Sequence, residues 1–305
     1  MSDADTPDPR APQALVFGGV GRLKAATTAV TGRSQLVASL ATKARHEVEI
    51  EKLFEGRVRF SGEQPVIDAP LVIVGFTNRS GSTLLTEYLK RAGAVGALGE
   101  EYNHFTVAKH ANRLGFDTFP AYVEGMWTRF KSRFDARDQP DRRVGFKASA
   151  DQVRMLYRWN IPAMFAGGVK LIAISRADRI AQGVSFSIAS QTQQWSSDQR
   201  HGPDSPPPDP EYRPREIARF IKMTDQQNAL MDLLVSAFDI DVFHTSYENL
   251  SRDPTQVIRA VARFVDQPCD SWTAPVKTRL KKQATSQNVA FADRFRHDLL
   301  NSAGF

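Results

Sequence analysis

The chain has little cysteine and no long apolar segment, and each shortage excludes a class of protein. Its 305 residues include one cysteine, Cys269, so no internal disulfide and no cysteine-based zinc site can form. This composition fits a reducing compartment, and we expect a cytoplasmic protein. No run of about 18 apolar residues occurs, which predicts that no helix spans a membrane. The first residues, Met1 to Pro9, are acidic and rich in proline, unlike a secretory signal.

The net charge is +6, but the basic residues are scattered along the chain. Nucleic-acid-binding surfaces combine basic clusters with aromatic side chains, and no such stripe stands out here. We therefore expect no nucleic-acid partner and favour a small polyanionic ligand or an anionic surface. The hydrophobic content of 41% suffices for one large core, or for a core with a small accessory lobe.

The pattern along the chain predicts a tail, an extension and one main domain. Residues 1–13 are expected to be disordered, and residues 14–64 to form an N-terminal extension of uncertain structure. Over residues 65–305, apolar strands alternate with helical patterns. This alternation predicts an α/β fold with a mostly parallel central sheet and helices on both faces. Residues 196–215 are rich in proline, which excludes regular helix or sheet and favours a lid or binding loop.

One segment combines a buried strand, a tight polar loop and a helix. An apolar run from Val72 ends near Gly75, and the polar residues that follow lead into apolar positions at helical spacing. Backbone N–H groups and the positive end of a helix then meet at one place, which is a binding site for phosphate or sulfate. Arg79 adds a cation to this loop. The other residues of the predicted anion site are Ser80, Gly81, Ser82 and Thr83.

This loop differs from the P-loop that binds nucleoside triphosphates. The P-loop has a lysine after its second glycine, whereas Gly81 is followed by Ser82. An enzyme that acts on a triphosphate also needs an aspartate at the end of a second strand to organise magnesium. The best second strand, Val169 to Ile174, leads instead to a serine and Arg176. A cation there favours a second anion, so we expect a ligand with phosphates at two separate places.

These motifs resemble those of sulfotransferases that use 3′-phosphoadenylyl sulfate (PAPS). Residues 77–85 are similar to the 5′-phosphosulfate-binding loop of that family, and residues 175–195 to its 3′-phosphate-binding strand and helix. Two further segments, 247–254 and 282–298, resemble the bacterial trehalose 2-sulfotransferase subgroup. The resemblance covers roughly residues 70–300. It implies a P-loop-like sulfotransferase fold and transfer from PAPS without a metal, with adenosine 3′,5′-bisphosphate (PAP) as the product.

The resemblance also assigns roles to the two anion sites. Arg79 and the N–H groups after it would hold the phosphosulfate and neutralise the charge on the leaving phosphate. Arg176 and Ser185 would hold the 3′-phosphate. Ser187 lies on the same predicted helix, Ile180 to Trp195, and since a helix turns about 100° per residue, only one of the two serines can point straight at this phosphate. The alternatives are a surface arginine at position 79 and an ion-paired arginine at position 176.

Transfer to an alcohol also requires a base for the acceptor hydroxyl. The subgroup has a glutamate after the segment that follows the first helix, in a Gly-x-x-x-Glu pattern followed by aromatic residues. Aligning residues 96–103 with this pattern without gaps places Glu100 at the glutamate. Glu101 is the alternative base if the alignment is made on Glu-Tyr instead. His104 and His110 are reserve bases, and the alternative is that both glutamates are solvated loop residues. Lys147, at a predicted strand end, is expected either to assist the sulfate of the donor or to lie on the surface.

The resemblance implies a hydroxyl-bearing acceptor: a small molecule, a carbohydrate or a glycolipid. Residues 97–99, Ala-Leu-Gly, replace the acidic residue and proline that are common in the subgroup, which argues against trehalose itself. The aromatic residues at 105–134 are expected to pack in the core rather than to form an acceptor platform. Two other functions stay open: a nucleotide-dependent kinase or triphosphatase with a variant P-loop, and a non-catalytic anion-binding protein. Proteins of this type are often dimeric, so a homodimer is also expected.

Overall fold

A computed structural model describes residues 37–195, 208–275 and 285–304. The chain divides into two compact units, Met1–Thr42 and Lys43–Phe305. In the first unit, residues 37–41 are helical. Residues 196–207, from the predicted proline-rich loop, and residues 276–284, which include the start of the predicted C-terminal motif, lie outside the described residues.

The second unit contains a five-stranded sheet, and all of its strand pairs are parallel. The strands are β1 (Leu71–Phe76), β2 (Val95–Ala97), β3 (Arg143–Ala148), β4 (Val169–Ser175) and β5 (Asp241–Ser246). Their order across the sheet is β2-β3-β1-β4-β5. The central strand is therefore β1, and the chain crosses from one side of it to the other between β3 and β4. Such a switch point leaves a crevice at the carboxyl ends of the strands, where ligands bind in open α/β sheets.

Helices connect the strands and cover both faces of the sheet. In chain order they are α1 (Arg45–Leu53), α2 (Ser82–Ala92), α3 (His104–Leu114), α4 (Phe119–Asp135), α5 (Ala150–Arg158), α6 (Arg179–Thr192), α7 (Pro214–Phe238), α8 (Tyr247–Arg252), α9 (Pro254–Phe264) and α10 (Ser286–Ala303). A short 3₁₀ helix, Ile161–Met164, precedes β4. Among the described helices, none is long and apolar enough to cross a membrane.

Alternate residues of β1 pack against helices on opposite faces of the sheet. Val72 and Val74 are fully buried in a cluster that includes Leu85 of α2. Gly75 faces the other side, where an added Cβ would lie 3.0 Å from the Met231 side chain of α7. Burial on both faces explains the continuous apolar run of this strand. The predicted α/β fold, with a parallel sheet between two layers of helices, is confirmed.

Helix α1 lies within the predicted N-terminal extension and packs in the same unit as the sheet. Ile50 and Phe54 are buried. Glu47 is also buried and forms an ion pair with Arg158 of α5. The compact unit therefore begins at Lys43, before α1.

Three other predictions about the organisation of the chain remain to be compared with the structure. The predicted tail, residues 1–13, lies outside the described residues, and a main domain over residues 65–305 stays a prediction. The proline-rich segment 196–215 overlaps α7, which begins at Pro214. Proline is tolerated in the first turn of a helix because its missing N–H has no partner there, so the end of this segment is helical.

Helix α6 is shorter than the sequence predicts. The periodic pattern extends to Trp195, but the helix ends at Thr192. The next residue, Gln193, has a left-handed conformation with a φ of 55°. This conformation ends the helix and redirects the chain toward the loop after β1.

Candidate active site

Three predicted cationic residues lie at the carboxyl edge of the sheet. Val74 of β1 pairs with Lys147 of β3 on one side and with Ile172 of β4 on the other. Arg79 follows β1, and Arg176 directly follows β4. Because these strands are parallel neighbours, all three side chains belong to the crevice at the switch point.

The loop between β1 and α2 presents backbone donors. Gly81 has a φ of +89°, and an added Cβ would lie 2.6 Å from the ring of Tyr247, so only glycine fits without strain. Within the described residues, no acceptor pairs with the N–H groups of Gly81, Ser82 and Thr83. The hydroxyl oxygen of Ser80 is buried, also without a described partner. Donors of this kind at a helix N-terminus bind an anion.

Arg79 connects this loop to helix α6. Its Nε donates to the hydroxyl of Ser185 at 2.9 Å, and its Nη1 donates to the carbonyl of Trp195 at 2.7 Å. Burial, and then the charge of Arg176, lowers the pKa of Arg79. Two guanidinium groups close enough to repel each other create a positive field that suits a ligand with more than one anionic group.

The two candidate serines of α6 make different contacts. Ser185 accepts the hydrogen bond from Arg79. Ser187 is buried and donates to Oε1 of Glu216 at 2.7 Å. The structure therefore brings Ser185, and not Ser187, to the loop after β1.

Gln182 of α6 also contacts the loop, and the sequence analysis missed it. This side chain is fully buried, and its amide donates to the hydroxyl of Thr77 at 3.0 Å and to the carbonyl of Asn78 at 2.8 Å. It lies three residues before Ser185, on the same face of the helix. The position of Gln182, three residues before Ser185 in the same predicted helix, was the one feature of the sequence that could have indicated its contact with the loop.

Arg176 is held by stacking rather than by an ion pair with Asp178. Its guanidinium lies 5.0 Å from the ring centroid of Tyr247, and its Nε is buried with no partner among the described residues. Asp178 pairs instead with Arg296 at 2.8 Å. Glu248 accepts from two backbone N–H groups before α6, at 2.9 and 3.3 Å. Burial alone would raise the pKa of Glu248, but these donors and the charge of Arg176 lower it.

Glu100 and Lys147 meet on the other side of β1. Oε1 of Glu100 lies 3.0 Å from Nζ of Lys147, and the Glu100 side chain is 42% exposed. The Lys147 ammonium also lies 4.6 Å from the ring centroid of Phe76. Just before this glutamate, Ala97 and Leu98 have φ values of 61° and 54°, a strained conformation for residues other than glycine. The turn presents Glu100 at the crevice, and Lys147 is buried rather than a surface lysine.

Glu101 points into the protein. Its Oε2 lies 3.3 Å from Nδ1 of His110 without hydrogen-bond geometry, and its backbone carbonyl accepts from Tyr122 at 2.7 Å. Burial raises the pKa of Glu101 and lowers the pKa of His110, so both groups favour their neutral forms. Of the two candidate glutamates, Glu100 is therefore partly exposed beside Lys147, whereas Glu101 is buried beside His110.

An all-parallel sheet whose central strand leads into a glycine-containing anion loop defines an α/β protein of the P-loop-like class. Residues 147–298, about half of the chain, match the family model described as Stf0 sulphotransferase. The chain is a sulfotransferase, and it belongs to this family. The resemblance to the sulfotransferase family found from the sequence motifs is thereby confirmed.

Two solved structures are similar to the chain at low identity. The sulfotransferase domain from the curacin biosynthetic pathway is 12% identical, with a TM-score of 0.40, over 76% of this chain and 98% of that domain. The sulfotransferase domain from the Synechococcus PCC 7002 olefin synthase is 13% identical, with a TM-score of 0.41, over 78% of this chain and 98% of that domain. Because these TM-scores are low, the family assignment depends on the match at residues 147–298. No curated protein matches the chain.

Proposed function

We propose that this enzyme transfers a sulfuryl group from PAPS to a hydroxyl of a small-molecule, carbohydrate or glycolipid acceptor. The observation that carries the proposal is the hydrogen bond from Arg79 to Ser185, which joins the loop after β1 to the helix after β4. A donor with a 5′-phosphosulfate and a separate 3′-phosphate requires two anion sites that are no farther apart than the two groups of the donor. Arg79 and Arg176, at adjacent strand ends, supply a cation for each.

In this proposal, the loop after β1 holds the 5′-phosphosulfate. Its donors are Arg79, the Ser80 hydroxyl and the N–H groups of Gly81, Ser82 and Thr83. As the sulfuryl group departs, negative charge grows on the phosphate, and fixed donors stabilise that charge without reorganisation.

Arg176 and Ser185 hold the 3′-phosphate in this proposal. A planar guanidinium can grip two phosphate oxygens together. The buried Nε of Arg176, which lacks a described partner, and its stacking on Tyr247 support this role.

Glu100 is proposed as the base. Its carboxylate accepts the proton of the acceptor hydroxyl while the hydroxyl oxygen attacks sulfur in line with the departing phosphate. The new O–S bond forms as the S–O bond to the phosphate breaks, and the electron pair of that bond leaves with PAP. Lys147, whose Nζ lies 3.0 Å from Glu100, is proposed to assist a sulfuryl oxygen. The proposed step uses no metal ion.

A thermal-shift titration with PAP and with ATP plus magnesium tests the proposed donor. A ligand that binds only the folded state raises the melting temperature. At a ligand concentration of 100 times its Kd, it adds about 2.7 kcal/mol to the free energy of unfolding. We expect PAP to raise the melting temperature and Mg-ATP to leave it unchanged. A shift with Mg-ATP alone would reject PAPS as the donor and favour the kinase or triphosphatase alternative.

We also propose that the enzyme acts as a homodimer in the cytoplasm. The single cysteine fits a reducing compartment. Size-exclusion chromatography with light scattering tests the dimer, and a mass of one chain would reject it.

A further inference from the structure

Helix α1 brings a histidine to the acceptor side of the site. Glu47 of this helix is fully buried and forms an ion pair with Arg158 of α5, while Ile50 and Phe54 pack beneath it. These contacts fix α1 on the compact unit. The residue directly before Glu47 is His46, so its position is set by this packing.

His46 and His104 form a hydrogen-bonded pair whose protons can be assigned. The backbone N–H of His104 donates to Nδ1 of His46 at 3.2 Å, so that nitrogen carries a lone pair. The two Nδ1 atoms lie 2.8 Å apart, and the proton between them therefore belongs to His104. Neutral His46 then carries its own proton on Nε2. In the part of the chain that the structure describes, no acceptor pairs with this N–H.

Glu100 and Asp151 belong to the two segments that contact α1. The backbone carbonyl of Glu100 accepts from the N–H of Asn103 at 3.0 Å, directly before His104, and Asp151 lies in the first turn of α5, the helix of Arg158. Burial, the largest influence, lowers the pKa of His46, and the nearby imidazole of His104 and the charge of Arg45 lower it further. The charges of Asp151 on α5 and of Glu100 raise it. Burial lowers the pKa of His104 as well. His46 thus favours its uncharged form, and Glu100 and Asp151 are carboxylates whose charges act on it.

We propose that His46 is a specificity residue of the acceptor site, where its Nε2–H donates to a second oxygen of the acceptor. The inference rests on the proposed function, because Glu100 takes the proton of the reacting hydroxyl. Asp151 is held at 2.8 Å by the amide of Gln227 and at 2.7 Å by Arg154, and it offers a further acceptor. A site with such alternating donors and acceptors prefers acceptors with several hydroxyl groups, because a single hydroxyl leaves site groups unpaired.

Two substitutions separate the functions of the two ring nitrogens. His46→Asn keeps an oxygen near the Nδ1 position, to accept from His104, but lacks the distal donor. His46→Gln carries an amide N–H near the Nε2 position. With PAPS and methyl α-glucoside, we expect His46→Asn to raise the acceptor KM about tenfold at unchanged kcat, as for one lost hydrogen bond. His46→Gln should recover most of this loss. For cyclohexanol, which has one hydroxyl, neither variant should change KM.

A second measurement does not depend on turnover. In protein with ¹⁵N-labelled histidine rings and saturated with PAP, His46 should be protonated at Nε2, and this signal should shift when methyl α-glucoside is added. An unmoved signal, equal KM values for wild type and His46→Asn, or a wild-type preference for cyclohexanol over the glucoside would each overturn the role of His46. A missing thermal shift with PAP would instead reject the proposed function itself, so the two failures are distinguishable.

Discussion

The ring of Tyr247 lies 2.6 Å from the point that a Cβ at Gly81 would occupy, so these two residues fit each other closely. The same ring lies beneath the guanidinium of Arg176, 5.0 Å from its centroid. Tyr247 therefore contacts both proposed anion sites at once. Any displacement of this ring should disturb the loop after β1 and the arginine after β4 together.

Gly81→Ala is expected to weaken donor binding through this contact, and Gly93→Ala is its matched control. Both glycines have a left-handed φ, +89° and +78°, but nothing lies within 4 Å of an added Cβ at Gly93. Each substitution should cost about 1–2 kcal/mol of stability for the conformation alone. Only Gly81→Ala should also raise the Kd of PAP, by about tenfold or more, as measured by calorimetry. Equal PAP affinities in the two variants would contradict the prediction.

Ser185→Ala should weaken the binding of PAP, whereas Ser187→Ala should lower the stability of the fold. Ser185 is proposed to hold the 3′-phosphate, and its hydroxyl also accepts from Arg79 of the neighbouring loop. Its loss should therefore raise the Kd of PAP about tenfold, the effect of a hydrogen bond to a charged group. The buried Ser187 bonds to Glu216, so its loss should lower the free energy of unfolding by about 1 kcal/mol and leave the Kd unchanged. Urea unfolding and calorimetry on both variants check this, and the reverse pattern would assign the phosphate to Ser187.

The sequence predicted the strands, the position of the loop after β1 and the positions of both arginines, because these depend on local patterns. An apolar run before a polar, glycine-containing turn is visible without a structure, and so is Arg176 after the next buried strand. Gln182 could not be predicted as a loop contact, because its partner Thr77 lies 105 positions away. The choice between Glu100 and Glu101 was open for a related reason, since adjacent residues differ in which way they face and not in sequence context.

Helix α1 shows a second limit of sequence analysis. Its sequence is rich in charge, and the partner of Glu47 is an arginine that lies far away in the sequence. The sequence therefore predicted only an extension of uncertain structure for this segment. The aromatic segment was partly clear from sequence. Phe119, Tyr122 and Phe134 are buried as expected, whereas Phe105 is 68% exposed. The position of one aromatic side chain thus depends on tertiary packing that composition does not reveal.

Glu100→Gln is expected to lower kcat by about 10²–10⁴-fold, the usual contribution of a positioned base. The amide cannot accept the hydroxyl proton, but it keeps the size of the side chain, so PAP affinity should stay unchanged. Glu101→Gln is the control, because that side chain is buried beside His110. Its kcat should remain within a few-fold of wild type. If Glu101→Gln alone abolished turnover, the base assignment would move to Glu101.

Glu101→Gln is further expected to change how stability depends on pH. Burial raises the pKa of Glu101 above its usual value near 4.5, with Arg133 opposing this shift, so the folded state binds a proton more tightly than the unfolded chain. That contribution is complete below the unfolded pKa and is lost as the pH rises through the folded pKa. The melting temperature of Glu101→Gln relative to wild type should therefore rise with pH above about 4.5 and then level off. A melting-temperature difference that does not change with pH would mean that the Glu101 carboxyl is ionised in the fold without cost.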